Sequence, residues 1–313
     1  MKRKFTTSIF LLLAVCLIAA GAANSQTSNW SDYVGSEYET IPNIAYRTAN
    51  NSEVKLDLYL PRNRQEAKPT LIFIHGGGWV EGVKEQDVLL TLPYLAMGWS
   101  VVNVEYRLAR NSLAPAAVED TRCALRWVYN NAARYKFDTT KIVLTGFSAG
   151  GHLALITGML PENSDFDRGC PTDGGVRWTT GREAPMKVAA IVNWFGITDL
   201  NDMFGGANAK HYAIEWFGSM PNRDELARRL SPLQNVRPGA PPIITIHGDA
   251  DDLVPYSQAV NLKASLDKAR IDNELITIKG GKHGGFSRAA TVDAYAAIRK
   301  FLKKQNLVEA EQK

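Results

Sequence analysis

The feature of this sequence that most constrains its fold is a buried strand running into a tight glycine turn and straight out into a helix. Residues 141–145 read as a strand around Ile142-Val143-Leu144, Gly146-Phe147-Ser148-Ala149-Gly150-Gly151 follows, and residues 149–159 are helical in pattern. A continuous apolar run that ends in glycine is the mark of a strand buried on both faces. Such a strand needs helices on both sides of its sheet and crossover connections to its parallel neighbours. The turn also has a chemical consequence. It forces Ser148 into strained backbone geometry with its hydroxyl clear of the chain, at a helix N-terminus that favours nearby negative charge.

The rest of the chain repeats the alternation. Residues 54–60 alternate apolar and polar, as a half-buried antiparallel strand does. Residues 71–74, 100–104, 188–192 and 243–246 are further apolar strands, and 274–278 is a last one. Helical periodicity covers 116–135, 257–269 and 292–304. These elements predict the α/β class: a mostly parallel central sheet with helices on both faces, in one domain over residues 24–313. Two stretches interrupt the alternation, 161–186 and 199–232, the second with Trp216 and Phe217 in a helical context. Both fall where a small lid can be inserted.

The first residues follow a different logic. Met1-Lys2-Arg3-Lys4 is basic, residues 9–20 are apolar, and small residues follow to Ala23. This is the layout of a secretory signal peptide, with cleavage expected near Ala22 or Ala23. The apolar run is too short for a stable membrane anchor, so the mature protein is expected outside the cytoplasm, periplasmic or extracellular. The whole chain has 36 Lys and Arg against 32 Asp and Glu, and the leader would remove Lys2, Arg3 and Lys4. A near-neutral remainder without long basic runs argues against nucleic acid as a partner. Export permits a disulfide between Cys123 and Cys170, but spacing does not say whether they meet. No Cys or His spacing suits a metal, and no cofactor is implied.

Three more loops carry chemistry. His75-Gly76-Gly77-Gly78-Trp79 ends the strand at 71–74. Glycines let main-chain N–H groups approach a developing oxyanion, so Gly77, Gly78 and Ala149 are the candidate donors, with His75 as a support of the loop. His247-Gly248-Asp249-Ala250-Asp251-Asp252 follows a late strand and offers three aspartates as orienting acid. Gly280-Gly281-Lys282-His283-Gly284-Gly285 follows the last strand, and His283 there is the candidate general base. His152, His211 and His247 read as structural. The order nucleophile, acid, histidine suits an α/β sheet rather than the other serine-hydrolase arrangements.

Together these residues resemble the α/β-hydrolase esterases with an HGGGW loop, and most of all the group of feruloyl esterases, acetyl xylan esterases and related carboxylesterases. The resemblance runs from about residue 50 to residue 303, through Glu105-Tyr106-Arg107-Leu108, Glu119-Asp120, Arg126-Trp127, residues 196–200 and Gly281 to Phe286. It implies Asp251 as the acid, at the fifth position of an HGxxDxxVP motif. A Ser148, Asp251, His283 triad would then cleave a small ester, or one linked to plant polysaccharide, through an acyl-enzyme. Trp79 and Trp216 are the expected substrate contacts, from a set that also holds Trp178, Trp194, Phe195 and Phe217. Two other readings stay open: a peptidase resembling the prolyl oligopeptidase catalytic domain, and a non-catalytic binding protein on the same fold.

Overall fold

Five strands of this chain are apolar on both faces, and they can be satisfied only in the middle of a sheet. In the computed structural model, which describes Asp32, residues 35–170 and residues 185–308, they lie there. The strands are β1 Tyr38–Ala49, β2 Ser52–Pro61, β3 Lys68–Ile74, β4 Ser100–Val104, β5 Phe137–Phe147, β6 Ala190–Trp194, β7 Ile243–Gly248 and β8 Asn273–Ile278. They form one sheet in the order β1-β2-β4-β3-β5-β6-β7-β8. Pairing is parallel from β4 to β8 and antiparallel for β1·β2 and β2·β4. The helices are α1 Ala116–Asn130, α2 Ala149–Met159, α3 His211–Phe217, α4 Arg223–Leu230, α5 Ser257–Lys268 and α6 Arg288–Lys304, with shorter turns between them.

Side chains of a strand alternate between faces, so each central strand feeds two cores. Ile72 and Ile74 of β3 enter the core shared with α1, α2 and α5, whereas Leu71 and Phe73 enter the one closed by Ile298, Phe301 and Leu302 of α6. The order matters for function. The chain goes from β3 outward to β4, then returns to lay β5 on the other side of β3. That reversal opens a crevice at the carboxyl ends of β3 and β5, where ligands bind in open α/β sheets.

The observed elements extend or shift several expectations. The stretch 116–135 is not one helix: α1 stops at Asn130, and Ala132–Tyr135 forms a separate short turn that ends with Lys136 at φ 59°. The strand expected over 188–192 lies at Ala190–Trp194. An edge strand, β1, precedes the first strand expected, and bulges between Ile41 and Ile44 and between Ala45 and Arg47 break its alternation. The segment 161–170 packs down on α1, with Phe166 and Asp167 buried. Residues 171–184 lie outside the described residues, as do Trp178 and the expected leader at 1–23.

Buried charges and one cross-link tie the frame together. Asp120 of α1 is fully buried and accepts hydrogen bonds from Arg107 Nε and Nη2, from the Arg107 amide, and from Arg47 of β1 at 2.8 Å. Arg122, also fully buried, donates from Nε to Asp167 at 2.6 Å. Cys123 and Cys170 form a disulfide that closes a 47-residue separation beside this pair.

Removing one partner from a buried ionic cluster leaves the others charged and unpaired, which typically costs about 3–5 kcal/mol. The Asp120→Ala variant is therefore expected to lose about that much unfolding free energy in urea denaturation; a loss under about 1 kcal/mol would contradict this role for the cluster.

Candidate active site

The site begins where β5 meets α2. Ser148 sits between them at φ 55°, ψ −119°, a region that non-glycine residues rarely adopt. Its amide donates to the Trp194 carbonyl at 2.9 Å, and its carbonyl accepts from the His152 amide. The turn is held from the other side by backbone contact. A β-carbon on Gly150 would overlap the carbonyl oxygens of Ile74 and His75, so only glycine lets α2 come this close to the end of β3. That contact brings Ser148 beside the glycine loop: a β-carbon on Gly76 would sit 3.8 Å from Ser148 Cβ.

The glycine loop is itself strongly bent, with Gly77 at φ 106°, Gly78 at 59° and Trp79 at 63°. The Gly77 carbonyl accepts from the amides of Val80 and Glu81, which pins the turn. Among the described residues, the amides of Gly77, Gly78 and Ala149 donate to no protein acceptor. Gly77 and Gly78 are half-buried in a tight loop and Ala149 is buried at a helix N-terminus, the usual makings of an anion cradle.

His75 supports this loop, as expected. Its ring is buried, stacks on Tyr106 at 4.3 Å, and places Nδ1 2.8 Å from the Gly76 carbonyl and Nε2 3.2 Å from Glu105 Oε1. Glu105 also accepts from the Lys84 amide, and the Tyr106 hydroxyl donates to the Gly76 carbonyl at 3.0 Å. The motif Glu105-Tyr106-Arg107 is thus a brace under the loop.

At the other end of the crevice, the loops after β7 and β8 meet. His283 Nδ1 lies 2.8 Å from Asp251 Oδ2. The carboxylate fixes the tautomer: Nδ1 must carry the proton it donates, which leaves Nε2 with a free lone pair. Asp251 Oδ1 accepts from the amides of Leu253 and Val254 at 2.9 Å each, and His247 Nε2 lies 3.3 Å from Oδ2. Burial works to raise the Asp251 carboxyl, but hydrogen bonds from His247, His283 and the Val254 amide outweigh it and hold it well below the usual carboxylate range. The other two aspartates do different work. Asp249 accepts from the Gly280 amide and pairs with Lys279, closing the turn between the two loops, and Asp252 is exposed.

Among the described residues, no hydrogen bond joins Ser148 to His283. The two loops are linked through aromatic rings: Phe195, after β6, packs 4.7 Å from the His283 ring and 5.6 Å from Phe147, the neighbour of Ser148. Phe195 is itself strained at φ 40°. Catalytic hydrogen bonds are often long in a free site and tighten when substrate binds.

The other histidines lie elsewhere. His152 is fully buried, with Nε2 2.9 Å from the Leu230 carbonyl, and burial pushes its imidazole down to about 4 against the opposing pull of that carbonyl. His211 is exposed on α3.

The assignment of Trp79 and Trp216 to substrate contact is corrected. Both are fully buried and stack on each other at 4.2 Å. The bend at Trp79 turns its indole down into the core shared with α1 and α2, so neither ring presents a face to the crevice. Phe217 is likewise buried, and Trp194 and Phe195 are nearly so. The side chain that does reach the site from this region is Tyr212, which sequence reasoning passed over. It lies against the glycine loop, where a β-carbon on Gly78 would sit 2.9 Å from Tyr212 Cβ, and its hydroxyl donates to the Leu253 carbonyl at 3.0 Å. Lys210 beside it donates to the Asp252 carbonyl at 2.7 Å. The only hint in the sequence was the helical pattern that carries Trp216 one turn on. Among the described residues, no group of three or more His, Cys, Asp or Glu is placed to hold a metal ion.

Residues 56–266, more than half of the chain, match the BD-FAE family. Esterase LipC of Mycobacterium tuberculosis is 28% identical over 222 residues, 69% of this chain and 53% of that protein. The isoprenylcysteine alpha-carbonyl methylesterase ICME of Arabidopsis thaliana is 25% identical over 240 residues, 73% and 53% of the two chains. This chain thus spans about half the length of these curated relatives. Among solved structures, a truncated carbohydrate esterase from gut microbiota superposes with a TM-score of 0.71 at 28% identity, covering 86% of this chain and 97% of that one. The propionate-bound esterase Est2 of Thermogutta terrifontis also gives 0.71, at 25% identity over 88% and 97%. The chain belongs to the BD-FAE family, and its sheet and helices form the α/β-hydrolase fold of these esterases.

Proposed function

We propose that this protein is a serine hydrolase of carboxylic esters, with Ser148 as nucleophile, His283 as general base, Asp251 as the orienting acid, and the amides of Gly77, Gly78 and Ala149 as the oxyanion cradle. The observation that carries this reading is the 2.8 Å contact between His283 and Asp251, because it fixes the tautomer that leaves Nε2 able to accept a proton. In the first step Nε2 takes the Ser148 proton as Oγ bonds to the ester carbonyl carbon. The carbonyl oxygen becomes an anion beside three N–H donors. The imidazolium returns its proton to the alcohol as the C–O bond breaks, leaving an acyl-serine. Water then repeats the sequence with the same histidine, and the acid departs.

The names of the neighbours, a carbohydrate esterase among them, support esters as substrates, and the substrates proposed are small soluble esters or acetyl or feruloyl esters linked to plant polysaccharide. Export is part of the proposal. The pattern of residues 1–23 supports it, and so does the Cys123–Cys170 disulfide, since such bonds persist in oxidising compartments. No helix among the described residues is long and apolar enough to cross a membrane.

Ser148→Ala is expected to abolish labelling by a fluorophosphonate and to lower ester turnover by about 10⁴-fold or more, while Asp251→Asn lowers kcat by about 10⁴-fold with the fold intact. The assay pairs p-nitrophenyl acetate and methyl ferulate with peptide p-nitroanilides; turnover of the peptides alone would move the assignment to a peptidase, and an unlabelled wild type would move it to a binding protein.

The Asp251 carboxyl is depressed in the folded state, so its ionised form contributes stability that is complete above the unfolded value of about 3.9 and is lost as pH falls through the lower folded value. Asp251 therefore stays charged from about pH 5 upward. The acid limb of kcat/KM is expected to fall with unit slope down to about pH 5, as one proton binds. A slope of two in that range would mean that the acid titrates with the base.

A further inference from the structure

His247 ends β7 with its side chain fully buried and plays no part in the mechanism above. Its Nε2 faces two acceptors: the Val254 carbonyl at 2.9 Å and Asp251 Oδ2 at 3.3 Å. Facing only acceptors, Nε2 must carry the proton, whatever else the ring does. The same oxygen, Oδ2, receives Nδ1 of His283 at 2.8 Å. Two imidazoles thus share one carboxylate oxygen, one from the rigid end of a central strand and one from a glycine-flanked loop.

We infer that His247 is a positioning residue for the acid: its Nε2–H anchors both ends of the turn from Asp251 to Val254 and limits the negative charge that Asp251 presents to His283. This rests on the reading of Ser148, His283 and Asp251 as a triad. The donors to Asp251 compete for its charge. A carboxylate that already has the His247 Nε2–H 3.3 Å from Oδ2 and accepts from two backbone amides has less charge left to stabilise an imidazolium. Without the His247 donor the imidazolium would be held more tightly, and the base would stay protonated to higher pH. The turn would also lose its tie to β7, and the acid would hold the ring less firmly.

The other groups around the carboxylate do not replace this donor. Tyr212 of α3 directs its hydroxyl to the Leu253 carbonyl, and its phenol is pushed up by burial and by the Asp251 charge, so it stays neutral. Lys210 places its ammonium on the Asp252 carbonyl, and Lys279 pairs with Asp249.

The test compares wild type, His247→Leu and His247→Gln on p-nitrophenyl acetate from pH 5 to 9. Glutamine can return an N–H near the Nε2 position, whereas leucine fills the space without one. The leucine variant is expected to lose about ten-fold in kcat with KM little changed, and to have its acid limb moved up by roughly half a unit or more, the glutamine variant returning toward wild type. A leucine variant with lower kcat but an unmoved acid limb would overturn the inference, since packing alone would explain it. If that variant fails to fold, side-chain ¹⁵N NMR of the wild type at pH 8 decides: the proton must reside on Nε2 of His247 and on Nδ1 of His283, and a His247 protonated on Nδ1 instead overturns the inference. A wild type without Ser148-dependent turnover would sink the triad reading itself, a result separate from either of these.

Discussion

The close approach of two backbone segments, the start of α2 and the end of β3, is the constraint on which the site depends. Glycine at position 150 is what permits it, because any side chain there would enter the carbonyls of Ile74 and His75. Once the contact is made, the strained Ser148 and the Gly77-Gly78 loop are neighbours by construction rather than by loop flexibility. Strand order adds the rest. Because β3 and β5 lie side by side with their crossovers leading in opposite directions, a crevice opens at their carboxyl ends. The loops after β7 and β8 then need only reach sideways along the same edge of the sheet.

Much of the chain exists to hold that edge still. Glu105 joins the His75 ring to the Lys84 amide beneath the glycine loop, and two residues later Arg107 turns the chain onto Asp120 of α1. Arg47 draws the edge strand β1 onto the same carboxylate. On the far side α3 acts as a strut: Trp216 stacks under the glycine loop through Trp79, while Lys210 and Tyr212 hold carbonyls of the loop after β7. These polar groups are buried or partly buried with partners on several elements, so their loss is felt as displaced geometry as well as lost stability.

The central strands, the glycine turns and the order of the candidate groups were legible in the sequence because each obeys a local rule. Buried strands are continuously apolar, and a serine between two glycines after such a strand has few other uses. What escaped was governed by tertiary contact. The edge strand β1 carries two bulges that destroy its alternation, so no period-2 signal survives. The break after Asn130 carries no proline or glycine to mark it. Trp79 and Trp216 read as binding surface because aromatic residues serve both cores and pockets, and only the bend at Trp79 decides for the core. Tyr212 had no motif of its own, and His247 opens the HGxxDxxVP motif without a role that spacing could assign; their importance comes from a carbonyl more than thirty positions away and from a carboxylate across a turn.

The claim that the two glycine-bearing loops form one cradle around Ser148 can be tested directly by the crystal structure of the protein treated with a phosphonate ester. The account predicts a covalent bond from Ser148 Oγ to phosphorus, with one phosphoryl oxygen within about 3 Å of the amides of Gly77, Gly78 and Ala149. A phosphoryl oxygen turned away from those amides, or an adduct on another side chain, would contradict it.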